Sequence, residues 1–304
     1  MTLTTVLRCF SRMAWSALLA AGLSVGSAAV GTNGSVNAAE YETIMVPSAA
    51  MGRDIPVAFM GGGPHAVYLL DAFNAGPDVS NWVTAGNAMN TLANKGISVV
   101  APAGGAYSMY TDWERDGSKQ WTTFLSGELP DWLAANKGLA PGGHGVVGAS
   151  QGGYAAMALA AFHPERFRYA GSMSGFLTPE RTGVDGAITA GMQQYGGVDT
   201  VNMWGWTAAG RWKWRSPNAH NALLINSNTR LWVWSPGSGT ASDPAAMLGQ
   251  PEIAQGTNAV FHIDYRDMQG TNGHFDLGAA GDNGWSSWGP QLRAMSGDLV
   301  ANIR

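Results

Sequence analysis

A serine between glycines is the segment of this chain best suited to covalent chemistry. Gly148-Ala149-Ser150-Gln151-Gly152 follows the apolar pair Val146-Val147 and precedes a run of small residues. A serine on a tight turn between a strand and a helix projects its hydroxyl away from the sheet, and the glycines allow that turn to close. The segment therefore predicts that Ser150 is a nucleophile for acyl chemistry.

Two further residues could complete a catalytic triad with Ser150. In hydrolases with this turn, the acid follows a later strand and the histidine follows the last strand. Asp243 is the only acid in the loop after a predicted strand at 230–234, and His274 is the only histidine beyond a predicted last strand at 260–265. His274 would remove the proton of Ser150, and Asp243 would orient the imidazole.

The transition state of acyl transfer also needs an oxyanion hole. Backbone N–H groups that point at the developing negative charge supply it. The expected donors are the N–H of Gln151, directly after the serine, and the N–H of Phe73, in the loop after a predicted strand at 66–70.

Short apolar runs alternate with longer stretches of helical spacing, and this order predicts the fold. Strands are predicted at 41–46, 55–60, 66–70, 97–100, 144–149, 168–172, 230–234 and 260–265. Helices are predicted at 83–93, at 121–135 with an interruption at Pro130, at 153–162 and after Trp285. Alternating strands and helices form right-handed crossovers and a mostly parallel sheet covered on both faces. The expected fold is a single-domain α/β-hydrolase.

The amino terminus has the composition of a secretory signal peptide. Arg8 and Arg12 precede an apolar stretch and then small residues, with possible cleavage sites between positions 29 and 39. The apolar stretch is shorter than the ~20 residues that a membrane span requires. We therefore predict a signal peptide over 1–39, an α/β-hydrolase domain over 40–304, and a secreted, extracellular or cell-wall-associated protein without a transmembrane anchor.

Composition argues against several kinds of partner. Only 12% of residues are charged and the formal net charge is −4, which argues against nucleic acid binding. Cys9, the only cysteine, lies in the predicted signal peptide, so the mature chain has no disulfide. The histidines lack the spacing of a metal site, and Gly61-Gly62-Gly63 precedes a strand rather than a helix. We predict no metal and no cofactor.

An aromatic and basic cluster lies between the predicted strands at 168–172 and 230–234. It consists of Trp204, Trp206, Trp212 and Trp214, interleaved with Arg211, Lys213 and Arg215. Tryptophan combines a large apolar face with a polar N–H, which suits stacking on a sugar ring or a partner protein. Packing within a lid or cap is the alternative interpretation.

Several segments in register along the chain carry a family resemblance. They include Val46-Pro47-Ser48, Met51-Gly52-Arg53-Asp54-Ile55, Val67-Tyr68-Leu69-Leu70-Asp71, Glu128-Leu129-Pro130, Asn228-Thr229-Arg230-Leu231-Trp232-Val233 and Met295-Ser296-Gly297-Asp298-Leu299. Together they resemble the antigen 85 mycolyltransferases, secreted α/β-hydrolase proteins that also bind fibronectin. The segments 71–77 and 281–285 are similar to a divergent branch of that family. This likeness implies loss of mycolyl transfer and binding of host matrix and small sugars.

The resemblance places the general base at a different position from His274. The family's histidine stands two residues before a tryptophan, and Asn283 occupies that position here. Asparagine can hydrogen-bond Ser150 but cannot take its proton at neutral pH. Asp243 falls at or beside the family's catalytic glutamate. His274 is then either a relocated base or a structural histidine at a strand end.

Three residues are candidate ligand contacts. Asn74 occupies the position of an arginine that lines the sugar cleft in the active enzymes, and Asp71 is retained. Capping of the turn after a strand is the alternative role for Asp71. Trp285 is the third candidate, although its spacing with Trp288 is also typical of core packing.

Two functions from different classes follow from these residues. The first is a secreted binding protein with impaired catalysis, which recognises small or acylated sugars and, through the segment 87–97, fibronectin or another host-matrix protein. The second is an active serine acyltransferase or esterase in which Ser150 uses a relocated base. Asn283 favours the first function, and the free hydroxyl of Ser150 favours the second.

Overall fold

The computed structural model describes residues 39–237 and 251–303. In these residues eight strands form one sheet in the order β1-β2-β4-β3-β5-β6-β7-β8. The strands are β1 (Glu42–Ser48), β2 (Arg53–Met60), β3 (Ala66–Leu70), β4 (Ser98–Pro102), β5 (His144–Ala149), β6 (Phe167–Met173), β7 (Arg230–Pro236) and β8 (Gly273–Ala279). The β1–β2 and β2–β4 pairs are antiparallel, and every later pair is parallel. This sheet confirms the predicted fold class.

Helices connect the strands and cover the sheet. They are α1 (Asn81–Thr84), α2 (Ala88–Leu92), α3 (Trp121–Thr123), α4 (Leu129–Lys137), α5 (Gln151–Phe162), α6 (Val184–Gly196), α7 (Val201–Trp204), α8 (Arg211–Trp214), α9 (Asn221–Asn226), α10 (Pro251–Asp267) and α11 (Trp285–Asn302). A π-helical turn, Phe124–Glu128, joins α3 to α4. Short 3₁₀ turns at Thr207–Ala209 and Asn218–His220 complete the segment between β6 and β7.

The core has two layers because both faces of the sheet are buried. Tyr68 and Leu70 of β3 belong to the layer under α5 and α10, whereas the intervening Leu69 belongs to the layer under α2 and α11. Successive strand residues point to opposite faces. The fully buried strands β3, β4 and β5 therefore consist almost entirely of apolar and small residues, as a two-sided parallel sheet requires.

The predicted elements around Ser150 match the structure, and two predicted helices are interrupted. The strand at 144–149 has the predicted bounds, and the helix predicted at 153–162 begins two residues earlier, at Gln151. The predicted helix at 83–93 is instead α1 and α2, separated where Asn87 adopts a positive φ of 51°. The predicted helix at 121–135 is divided by the π-helical turn, and Pro130 lies in the first turn of α4, where its missing N–H costs nothing.

The prediction of a last strand at 260–265 is wrong, because these residues lie within α10. Val, Phe, Ile and Tyr favour strands, but Ala254, Phe261 and Tyr265 recur at helical spacing and are all buried. The last strand is β8, an edge strand whose residues are only partly buried. Its sequence therefore lacks the continuous apolar run that marked the other parallel strands.

The aromatic and basic cluster is divided between packing and exposure. Trp204 and Trp212 are fully buried and pack edge to face, with ring centroids 4.9 Å apart. Trp206 and Trp214 are 72% and 66% exposed. Cap packing thus accounts for two of the four tryptophans, and the other two present their rings at the surface.

The described residues include no helix that is both long enough and apolar enough to cross a bilayer. Positions 1–38 of the predicted signal peptide, including Cys9, lie outside the described residues. The signal peptide therefore stays a prediction.

Candidate active site

Ser150 lies at the carboxyl edge of the sheet, between β5 and α5. Its backbone has φ 53° and ψ −118°, a conformation that residues with a side chain rarely adopt. Its N–H donates to the carbonyl of Met173, at the end of β6, over 2.8 Å. Ser150 is 6% exposed, and its hydroxyl makes no hydrogen bond to any of the described residues. This strained turn is the predicted nucleophile elbow.

Close backbone contacts explain the glycines on either side of Ser150. A Cβ on Gly148 would lie 2.2 Å from the carbonyl carbon of Gly152. A Cβ on Gly152 would lie 2.3 Å from the carbonyl oxygen of Leu70, at the end of β3. Such distances are far shorter than a carbon contact allows. The first turn of α5 can therefore approach β3 only because these positions have no side chain.

The two predicted oxyanion donors lie on neighbouring segments. Gln151 is the first residue of α5, so its backbone N–H has no partner within the helix. Phe73 lies three residues after β3, next to that helix start, and its ring packs between Tyr107 and Phe176. The arrangement is compatible with two converging N–H donors, and the oxyanion hole stays a prediction.

The side chain of Gln151 joins the loops around the elbow, a role that the sequence did not predict. Its amide nitrogen donates to the carbonyls of Ala72 at 3.0 Å and Gly105 at 2.9 Å. Its amide oxygen accepts from the N–H groups of Ser108 at 3.2 Å and Met109 at 2.9 Å. The side chain is fully buried, so these four bonds fix the loops after β3 and β4 against α5.

Asp71 is a buried structural acid rather than a ligand contact. The residue has no exposed surface, and its Oδ1 accepts from the hydroxyl of Ser80 at 2.8 Å and the N–H of Trp82 at 3.1 Å. These bonds cap the start of α1. Asp71 therefore has the capping role, and not the predicted role of a sugar contact. Burial raises the pKa of Asp71 to about 7.

The raised pKa of Asp71 predicts a pH-dependent stability. Between pH 3.8 and about 7 the folded protein retains a proton that the unfolded chain has released. The stability that this group contributes is complete below pH 3.8 and is lost between pH 3.8 and about 7, by up to about 1.4 kcal/mol per pH unit. Asp71→Asn should become progressively more stable than the natural chain over this range in urea unfolding. Parallel stability curves for the two proteins would contradict this assignment.

Asn74 and Trp285 lie on segments that meet at the same edge of the sheet. Asn74 is exposed on the loop after β3, and its carbonyl accepts from the side chain of Asn81 at 3.1 Å. Trp82, which follows Asn81 in the chain, packs edge to face on Trp285, with ring centroids 5.0 Å apart. Trp285 is partly buried and also packs on Trp288. Both remain candidate ligand contacts.

The structure does not bring His274 to Ser150, which corrects the prediction of a relocated base. His274 is the second residue of β8 and stacks on Trp232, with centroids 3.9 Å apart. β8 is three strands from β5, so the lateral separation alone is about 14 Å. His274 also lies near the amino end of its strand, whereas Ser150 follows the carboxyl end of β5. Asp243 lies outside the described residues.

The other five histidines also lie away from Ser150. All six histidines of the chain fall within the described residues, and none hydrogen-bonds Ser150. His144 and His65 pack together at the amino end of β5, and His262 stacks on Phe275. His163 caps the end of α5, about 20 Å from Ser150 along the helix axis, and His220 packs on Phe162 at the same end. The structure therefore places no imidazole beside the serine.

Asn283 occupies the loop between β8 and α11. It is 2% exposed and immediately precedes Gly284, the N-cap of α11. The indole N–H of Trp288, in the first turns of that helix, donates to the hydroxyl of Ser174 over 3.4 Å. Ser174 follows β6, next to the elbow, so the start of α11 lies at the carboxyl edge of the sheet, as does Ser150.

Comparison with known proteins agrees with this geometry. The family model "Putative esterase" matches residues 48–299. The MPT51/MPB51 antigen of Mycobacterium tuberculosis is 69% identical over 96% of this chain and 97% of its own length. The diacylglycerol acyltransferase/mycolyltransferase Ag85B of Mycolicibacterium smegmatis is 41% identical over 93% of this chain and 92% of its own length.

Solved structures show the same fold. The crystal structure of Mycobacterium tuberculosis MPT51 (FbpC1) has a TM-score of 0.86 and 73% identity, and it covers 88% of this chain and 100% of that chain. The fluorophosphonate-binding serine hydrolase FphF of Staphylococcus aureus has a TM-score of 0.67 at 11% identity over 86% of this chain and 98% of that chain, a likeness of fold alone. The chain therefore belongs to the esterase family as a relative of the MPT51/MPB51 antigens and of the antigen 85 mycolyltransferases.

Proposed function

We propose that this chain is an exported binding protein built on a serine-hydrolase scaffold, with acyl transfer lost or strongly impaired. One observation carries the proposal: all six histidines lie away from Ser150, and the family's histidine position holds Asn283. Without a general base, the oxyanion hole and substrate binding retain only about 10³–10⁴-fold catalysis over water, far below a working enzyme.

The proposed ligand of the cleft is a small or acylated sugar. Trp285 offers a partly exposed aromatic face, and the exposed Asn74 can donate and accept hydrogen bonds with sugar hydroxyls. Sugar binding by these two residues does not require a reactive Ser150. A sugar could therefore be retained in this cleft after the chemistry was lost.

A host-matrix protein such as fibronectin is the proposed macromolecular partner, through the segment 87–97. Ala88, Met89, Leu92 and Ile97 of this segment are buried, whereas Asn87, Asn90, Asn94, Lys95 and Gly96 are exposed. Contact with a partner would therefore rest on the exposed five. Export through the predicted signal peptide is part of the same proposal.

Calorimetric titration with trehalose tests the sugar proposal. Saturable binding is expected for the natural chain and for Ser150→Ala, because the hydroxyl is not needed to hold the sugar. Trp285→Ala should abolish binding, whereas Trp214→Ala, which removes an exposed ring elsewhere, should leave it unchanged. Absence of binding to the natural chain would contradict the proposal. Fibronectin titrations of the same variants separate the two ligands, since Trp285→Ala should leave fibronectin binding intact.

A further inference from the structure

A cavity lies between α5, the loop after β4 and the end of α8. Its volume is about 350 Å³, at the lower end of the range of small-molecule sites. Ala155, Ala158, Leu159 and Phe162 line it from one face of α5, at the i, i+3, i+4 and i+7 spacing of a helix. The floor of the cavity is therefore apolar.

The wall opposite α5 is formed by the end of α8. Trp214 and Arg215 line the cavity there, and the hydroxyl of Tyr154 donates to the carbonyl of Arg215 over 2.8 Å. This bond fixes the wall to α5. The mouth of the cavity thus has a defined position relative to its floor.

Exposed aromatic rings surround the mouth of this cavity. Trp214 is 66% exposed and packs edge to face on His220, which in turn packs on Phe162 with centroids 4.6 Å apart. The apolar rings of Trp214 and Phe162 thus lie at the surface, with the imidazole of His220 between them. An exposed apolar patch next to a cavity marks a binding site more often than a scattered surface residue does.

Positive charge at the mouth is not neutralised within the described residues. The guanidinium of Arg215 and the ammonium of Lys213 form no ion pair with any described acid, whereas Arg211 pairs with Glu114. His163 also lines the cavity, and its Nδ1 lies 3.3 Å from Oε1 of Glu165. The protein carries a formal net charge of −4, so this local excess of cations is opposite to its overall sign.

The cavity is separate from the proposed sugar cleft. The α5 residues that line the cavity run from Tyr154 to Phe162, about 6 to 18 Å from Ser150 along the helix axis. None of the residues that line the cavity is Ser150, Asn74 or Trp285. A ligand could therefore occupy one site without contacting the other.

We infer that this cavity binds an amphipathic carboxylate with a single apolar chain, of the fatty-acid type. The chain packs on the apolar face of α5 under Trp214, and the carboxylate accepts hydrogen bonds from the guanidinium of Arg215. A guanidinium presents two parallel donors to a carboxylate, which a neutral head group cannot match. Thr111 and Thr122 also line the cavity, and the apolar face of α5 favours an alkyl chain over a free sugar there.

Calorimetric titration with decanoate, and with decanol as the uncharged control, tests this inference. Saturable binding of one decanoate per chain is expected, and decanol should bind at least about tenfold more weakly, because it loses the charged contact. Equal binding of the two would overturn the assignment to a carboxylate. Absence of decanoate binding would overturn the site.

Two substitutions locate the ligand. Ala158→Phe fills the cavity from a partly exposed position and should abolish binding, and Arg215→Gln should weaken it by about tenfold without altering the cavity. Arg215→Gln keeps the test valid if the larger substitution impairs folding, which circular dichroism would reveal. Trp285→Ala should leave decanoate binding unchanged, so failure here is distinguishable from failure of the sugar proposal. Decanoate affinity that neither cavity substitution alters would overturn the inference.

Discussion

Replacing Gly152 by alanine is expected to destabilise the protein by about 3 kcal/mol or more. The added Cβ would lie 2.3 Å from the carbonyl oxygen of Leu70 and 2.7 Å from that of Asp71. Both oxygens belong to backbone at the end of β3, which cannot rotate away as a flexible side chain can. Relief of the clash requires α5 to move away from the sheet.

Such a movement would disturb more than the elbow. The side chain of Gln151 holds Ala72 and Gly105, so displacement of α5 breaks buried hydrogen bonds as well as packing. The loss should appear in urea unfolding as a lower midpoint with an unchanged slope.

Gly297→Ala is the matched control. Gly297 lies within α11, and no atom is found within 4 Å of the position of its Cβ. Because alanine favours helix over glycine, this substitution should stabilise the protein by up to about 1 kcal/mol. Equal stability of Gly152→Ala and the natural chain would show that the close approach of α5 to β3 is not required.

The sequence predicts the elbow well because its determinants are local. A buried run, two glycines and a small-residue helix are contiguous, so β5 has the predicted bounds and α5 begins only two residues before its predicted start. The last strand was misplaced because Val260–Tyr265 has strand propensity but the burial of a helix, while β8 is a partly buried edge. The error put His274 after the last strand instead of near its start.

The polar network around the elbow could not be predicted from local pattern. The partners of Gln151 lie 42 to 79 residues away in sequence. Asp71 similarly binds the start of α1 rather than a ligand, and Ser80 in a typical N-cap position is the only sequence signal for that role. Contacts between distant loops become visible only once the sheet order is fixed.

Introducing an imidazole beside Ser150 is expected to raise the reactivity of its hydroxyl strongly. The resemblance to the antigen 85 mycolyltransferases places Asn283 at their histidine position, so we expect Asn283→His to introduce a general base that the natural chain lacks. General-base catalysis contributes about 10²–10⁴-fold. We therefore expect Asn283→His to raise the reaction rate of Ser150 with a fluorophosphonate by about 10²-fold or more. Asn283→Gln, which changes the size of the side chain without adding a base, is the control.

Fluorophosphonate labelling of the purified natural chain, compared with Ser150→Ala and His274→Ala, tests whether Ser150 is an activated nucleophile. We expect the natural chain to label no faster than Ser150→Ala, and we expect His274→Ala to leave the labelling rate unchanged. Rapid labelling of the natural chain that Ser150→Ala abolishes would contradict this expectation, since Ser150 would then be an activated nucleophile. Loss of that labelling in His274→Ala as well would identify His274 as its base.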